Sequence, residues 1–105
     1  MSCSGDKHAS SDDGSDAARG AGASEAKFHE FLESVGAPGA LDARTKRAIG
    51  IALSVLARCE PCAKSHIKKA RDMGFSQDEI DEAAWMGVSF GGTPSMVFYK
   101  GVKRS

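Results

Sequence analysis

The chain has 105 residues and a mass of 11.0 kDa, which is room for one small domain. Fourteen Lys and Arg balance fourteen Asp and Glu, so the basic excess that nucleic-acid binding requires is missing. No stretch reaches the ~18 apolar residues of a membrane span, and the uncharged run Ala48 to Ala57 is ten residues, the length of a buried helix.

Residues 1–24 hold six Ser, five Ala, four Gly and four Asp, and Met1 is their only large apolar residue. Such a segment cannot bury enough surface to offset its ordering entropy and is expected to be a disordered tail. It also lacks the apolar stretch of a secretory signal. All five Phe, the Trp and the Tyr follow residue 24, which places the folded unit at 25–105. A core of that size supplies only about 3–5 kcal/mol, so a disulfide, a metal or self-association is expected to help. Three cysteines cannot all pair within one chain, which argues against a secreted disulfide scaffold and for a cytoplasmic protein.

Helix signals then follow one another without strand signals, so the fold class is all-α. Ser24 is placed to cap a first helix, in which Phe28, Phe31, Leu32 and Val35 form one stripe until Gly36 and Pro38 stop it. A second helix runs from about Asp42 to Arg58. Its second half is apolar on every side through Ile49, Ile51, Leu53, Val55 and Leu56, the pattern of a helix surrounded by protein, here including other subunits. The third starts near Glu60, with Pro61 in its first turn and Ala63, Ile67 and Ala70 as its inner face, and Gly74 closes it. Ser76 and Glu79 form a capping box for a fourth helix with Ile80, Ala83, Ala84, Gly87 and Val88 on one face. Gly91-Gly92 breaks it. Thr93-Pro94 opens a last helix carrying Met96, Val97, Phe98 and Tyr99.

The chemistry sits where the second helix meets the third, in Cys59-Glu60-Pro61-Cys62-Ala63-Lys64-Ser65-His66. Two cysteines three apart at a helix start bring their sulfurs to one side of the first turn. A disulfide there closes a tiny loop and braces little, so it suits a reversible two-electron store. The positive end of the helix dipole favours thiolates. His66, four residues after Cys62, lies on the same face, where an imidazole can take and return a thiol proton. Cys59 aligns with the buried stripe and Cys62 with its edge, which makes Cys62 the expected attacking thiol and Cys59 the resolving one. Glu60 would raise a neighbouring thiol pKa, and Arg58 and Lys64 would lower it.

Zinc is the competing use of this motif, but two Cys and one His leave a structural site one ligand short. No metal or bound cofactor is therefore expected. Cys3 and His8 read as incidental tail residues, His29 as solvated, Trp85 and Met86 as core or subunit interface, and Lys68, Lys69 and Arg71 as a solvated face.

Residues 41–92 resemble the carboxymuconolactone decarboxylase superfamily, in its cysteine-bearing alkylhydroperoxidase D-like branch. The resemblance lies in the charged helix start Leu41-Asp42-Ala43-Arg44-Thr45-Lys46, the apolar helix leading into Cys59-x-x-Cys62-x-x-x-His66, the Gly74-Phe75-Ser76 turn with Glu79-Ile80, and Gly91-Gly92. It implies a helical bundle assembled as a homotrimer or homohexamer. It also implies thiol-based, peroxiredoxin-type reduction of hydroperoxides or disulfides, with electrons from an external dithiol donor of lipoyl or thioredoxin type. The family's cysteine pair maps onto Cys59 and Cys62 and its relay histidine onto His66. The family's usual Glu, twelve residues before the first cysteine, is replaced by Arg47, which cannot accept a proton. Asp42 and Glu60 are the carboxylates available to substitute.

The expected function is a thiol-dependent oxidoreductase in which Cys59, Cys62 and His66 are catalytic. Two rivals remain open. One is a non-catalytic redox sensor or partner-binding module. The other is a decarboxylase-like lyase whose activity would survive loss of both cysteines.

Overall fold

The computed structural model describes residues 19–104 and shows, among them, five α-helices and no strand. No helix among the described residues is long and apolar enough to cross a membrane. Cys3, His8 and all but the end of the segment expected to be a tail lie outside the described residues. The chain divides into two units, Met1–Ala37 and Pro38–Ser105.

In the first unit, α1 spans Gly20–Gly36. Its cap is Arg19, so Ser24, expected as the cap, lies inside the helix. The reason is local: Ala21 and Ala23 are strong helix formers, and Gly20 takes the positive φ of 55° from which the helix begins. Phe28, Phe31, Leu32 and Val35 form the expected stripe, and none of them is buried. His29 is exposed beside Glu25.

In the second unit, α2 (Ala43–Ala57) is the helix against which α3 (Glu60–Asp72), α4 (Gln77–Gly91) and α5 (Thr93–Val102) all pack. Each boundary has a chemical cause. The Asp42 carboxylate accepts from the Thr45 N–H at 2.7 Å and starts α2. Pro61 stands in the first turn of α3, and Gly74, with φ 92°, follows its end. Both halves of the Ser76/Glu79 capping box are formed at the start of α4. Gly92, with φ 74°, separates α4 from α5 and is itself the cap of α5, one residue before the expected Thr93.

The core joins Ile51 and Val55 of α2, Ala63, Ile67 and Ala70 of α3, Ile80, Ala84 and Val88 of α4, and Tyr99 and Val102 of α5. The buried face of α5 is Ser95, Tyr99 and Val102, at helical spacing, and not the run from Met96 to Tyr99. The Tyr99 hydroxyl donates to the Asp81 carboxylate at 2.6 Å, which also accepts from Gln77 and Lys103. Burial drives the Tyr99 pKa far above its ordinary value, and the Asp81 charge adds to it. Tyr99 is therefore a fixed donor that ties α5 to α4. At the same N-terminal end of α4, Arg44 reaches across from α2, donating to Glu79 at 3.0 Å and lying 4.1 Å over the Phe75 ring.

Two features expected to be enclosed, in part by other subunits, are uncovered in the single chain. Within the single chain α2 is covered on one side only: Ile51 and Val55 are buried, whereas Ile49, Leu53 and Leu56 are 43%, 58% and 39% exposed. Trp85 and Met86 are exposed in the single chain and are not core residues.

Helices α2 and α4 come close together at Gly87, where an added Cβ would collide with the Ala52 carbonyl oxygen. Alanine's helix advantage over glycine is about 1 kcal/mol, but overpacking against rigid backbone costs about 1–3 kcal/mol. Gly87→Ala should therefore lower Tm by several degrees. Gly101→Ala, at an open position on α5, should not lower it. Equal Tm changes for the two variants in thermal unfolding would contradict this packing.

Candidate functional site

The turn between α2 and α3 is built on Arg58, the one non-glycine residue with positive φ among the described residues, at φ 53° and ψ 45°. An L-residue is about 1–2 kcal/mol less stable in that conformation. In exchange, the Arg58 N–H reaches the Ser54 and Val55 carbonyls and closes α2. The next N–H, that of Cys59, also bonds Ser54, at 3.1 Å. The chain thereby reverses at once, and Cys59 becomes the cap residue of α3.

Cys59 and Cys62 are joined as a disulfide, with their Cα atoms 5.2 Å apart. Cys59 is half-buried and Cys62 exposed. Both sulfurs stand at the N-terminal turn of α3, where unsatisfied N–H groups carry partial positive charge. Reduction of the pair would place any thiolate in that field, which stabilises it. The one nearby carboxylate in the motif, Glu60, is held by Lys64 at 2.8 Å, and this bond keeps its carboxyl below the ordinary range.

His66 is half-buried, one turn further along α3. Its ring lies directly against the backbone of α2: a Cβ at Gly50 would come within 2.7 Å of Nδ1. Glycine at 50 is thus what allows the ring to seat there. A lone glycine inside an apolar helix is the sequence signal for such an approach, and Gly50 was not among the residues singled out from sequence. Arg47, one turn before Gly50, completes the seat. Its Nη1 lies 2.6 Å from His66 Nδ1. Its Nε is buried and has no hydrogen-bond partner among the described residues. Burial first, then the Arg47 charge and that of Lys69, hold the His66 pKa below its ordinary value.

The carboxylates that the sequence offered in place of the family's Glu are engaged elsewhere, Asp42 in capping α2 and Glu60 with Lys64. Among the described residues, no group of three or more His, Cys, Asp and Glu is arranged to hold a metal ion. Lys68 and Arg71 are exposed and bonded to Asp72 and Gln77. A cleft of about 430 Å³ lies between α2 and α4, lined in part by Arg44, Phe75, Glu79 and Met86. None of Cys59, Cys62 and His66 lines it, and the disulfide reaches the surface of the chain through the exposed Cys62.

The model of the carboxymuconolactone decarboxylase family matches residues 23–100. A Paracoccus denitrificans protein named uncharacterized protein 4 in cox locus is 38% identical over 61 residues, 58% of this chain. The matched segment spans 55% of that relative's own length. Among solved structures, a carboxymuconolactone decarboxylase family protein from Thermotoga maritima, for which a part in the antioxidative response has been suggested, superposes with a TM-score of 0.74. It is 27% identical, over 86% of this chain and 76% of its own. The apo form of a carboxymuconolactone decarboxylase family protein from Legionella pneumophila gives 0.69 at 28% identity, over 77% and 73% of the two chains.

The lowered His66 pKa has a consequence for stability. Above the ordinary histidine pKa of 6.5 neither the folded nor the unfolded ring is protonated. Below it, the unfolded chain binds a proton that the folded chain refuses, so stability falls as the pH drops from 6.5 toward the folded pKa. Urea unfolding should show a lower midpoint near pH 5.5 than near pH 7.5, and His66→Asn should remove much of the difference. The same pH dependence in both proteins would contradict the burial of a neutral ring.

Proposed function

The chain belongs to the carboxymuconolactone decarboxylase family, and from that membership we propose that it is a thiol-dependent oxidoreductase cycling Cys59 and Cys62 between dithiol and disulfide. The observation that carries the reading is the surface-open Cys59–Cys62 pair at a helix N-terminus beside a half-buried histidine. A disulfide spanning three residues contributes little as a brace, so its value lies in its reversibility.

Cys62 is the attacking sulfur in this proposal because it is the more exposed of the two. With a disulfide substrate, the Cys62 thiolate forms a mixed disulfide and expels one thiolate. The Cys59 thiolate then attacks the Cys62 sulfur, forms the internal disulfide and expels the second. With a hydroperoxide, the thiolate takes the distal oxygen, the O–O bond breaks and an alcohol leaves with one proton. Cys59 condenses with the resulting sulfenic acid and releases water. In either case two electrons leave the pair, and an external dithiol of lipoyl or thioredoxin type restores it. The suggested antioxidative role of the Thermotoga maritima relative supports this direction.

Self-association as a homotrimer or homohexamer belongs to the same proposal. Ile49, Leu53 and Leu56 recur along the face of α2 opposite Ile51 and Val55 and are uncovered in the single chain, as are Trp85, Met86 and Phe90. Apolar surface of this kind favours burial against further copies.

Cys62→Ser should abolish reduction of hydroperoxide or disulfide by a dithiol donor while leaving the oligomer intact. Turnover retained in that variant removes the assignment. A single oxidation of the wild type without continued turnover would favour a redox sensor instead. Leu53→Glu should shift the protein toward monomer in sedimentation, and an unchanged oligomer would show that this face is not the contact.

A further inference from the structure

We propose that Arg47 is a positioning residue that fixes His66 as the neutral tautomer protonated on Nε2 and denies it the role of proton acceptor for the cysteine-bearing turn. The inference deepens the oxidoreductase reading and rests on it only for the identity of Cys62 as the attacking thiol.

The argument starts from a valence count. A guanidinium has N–H donors and no lone pair to accept with. The contact of 2.6 Å between Arg47 Nη1 and His66 Nδ1 is therefore an N–H of arginine donated to a bare ring nitrogen. A neutral imidazole has one proton, and with Nδ1 unprotonated that proton is on Nε2. Protonating the ring fully would put a second N–H at Nδ1, directly facing the N–H groups of a cation. The ring is thus blocked at Nδ1 and already occupied at Nε2. A base needs a free lone pair in the direction of the proton it takes, and in this arrangement His66 has none to offer.

The seat that enforces this is rigid. Gly50 lets the ring lie on the α2 backbone, and Arg47 is one helical turn from Gly50 on the same helix, so both sides of the seat belong to one element. The charged groups acting on the ring are Arg47 from α2 and Lys69 from α3, both cationic. No carboxylate among the described residues is hydrogen-bonded to the ring to pull a proton onto it.

What remains is a neutral donor. Side chains on a helix lean toward its N-terminus, so a residue at 66 lies over the turn that carries Cys62. The half-buried Arg47 charge, with the ring held neutral, favours a thiolate in that turn by charge. The thiol proton itself goes to solvent, to which Cys62 is open. Reactivity then follows a single ionisation, that of the thiol.

The test uses the full chain, labelled with ¹⁵N in its histidines, in the oxidised form. Long-range ¹H–¹⁵N correlations are expected to show His66 protonated on Nε2, with a titration below 6.5. Arg47→Lys should preserve both features. Arg47→Glu, which replaces a donor by an acceptor, should move the proton to Nδ1 and raise the titration. A wild-type ring protonated on Nδ1 overturns the proposal without reference to any variant, as does a titration unmoved by Arg47→Glu. In the reduced protein, iodoacetamide alkylation of Cys62 should follow one ionisation below the ordinary thiol value of about 8.5, and Arg47→Met should slow it roughly tenfold at neutral pH. An additional ionisation near 6.5 that disappears in His66→Ala would restore the base and overturn the proposal. These readouts require no turnover. A protein with the expected tautomer that fails to consume substrate would defeat the oxidoreductase reading alone.

Discussion

Residue 50 carries no side chain, and that single fact lets an imidazole from α3 rest against the backbone of α2. A second bare position, Gly87, lets α4 meet the same helix at Ala52. Between these two contacts α2 is approached closely by both neighbours, and each approach is limited by backbone, which cannot yield as a flexible side chain would. The position of His66 relative to the cysteines follows from the first contact. The alignment of Ile80, Ala84 and Val88 against Ile51 and Val55 follows from the second. Small residues here do the work of register, while the large ones supply the burial.

The electrostatics of the site follow from the same placement. Its cysteines occupy the positive end of α3, and its histidine, held below its ordinary pKa, is hydrogen-bonded to a half-buried arginine whose Nε lacks a hydrogen-bond partner among the described residues. The motif's carboxylate, Glu60, is neutralised by Lys64 in an exposed pair. The helix end favours negative charge on sulfur, and the charges acting on the ring, Arg47 and Lys69, oppose positive charge on the imidazole. In a relay built on a carboxylate the histidine would be the basic member. With a guanidinium in that place, the electrostatic preference is reversed while the fold is preserved.

The apolar back of α2 links stability to assembly. A core of ten buried apolar residues, several of them alanines, is modest for a chain of this length. Ile49, Leu53 and Leu56 lie uncovered on the far side of the helix that organises the core. Burial of that stripe against other copies would complete α2 as a helix enclosed on both sides.

The sequence by itself determined most features that depend on neighbours within about one helical turn, the starts of α1 and α5 excepted. Asp42 marked the start of α2, Pro61 that of α3, and Ser76 with Glu79 that of α4. The stripe Ala63, Ile67 and Ala70 was legible as the inner face of α3, and the Cys59/Cys62 spacing as a possible pair. Caps and periodicities are local, so they can be read from order alone. Only the tertiary structure decided where Arg47 points, because its partner is nineteen residues away on another helix. The same holds for the need for glycine at 50 and 87, the exposure of Trp85 and Met86, and the choice of Ser95 over Met96 as an inner residue of α5. These depend on the depth and angle at which helices cross, and periodicity within one helix carries no information about the surface it will meet.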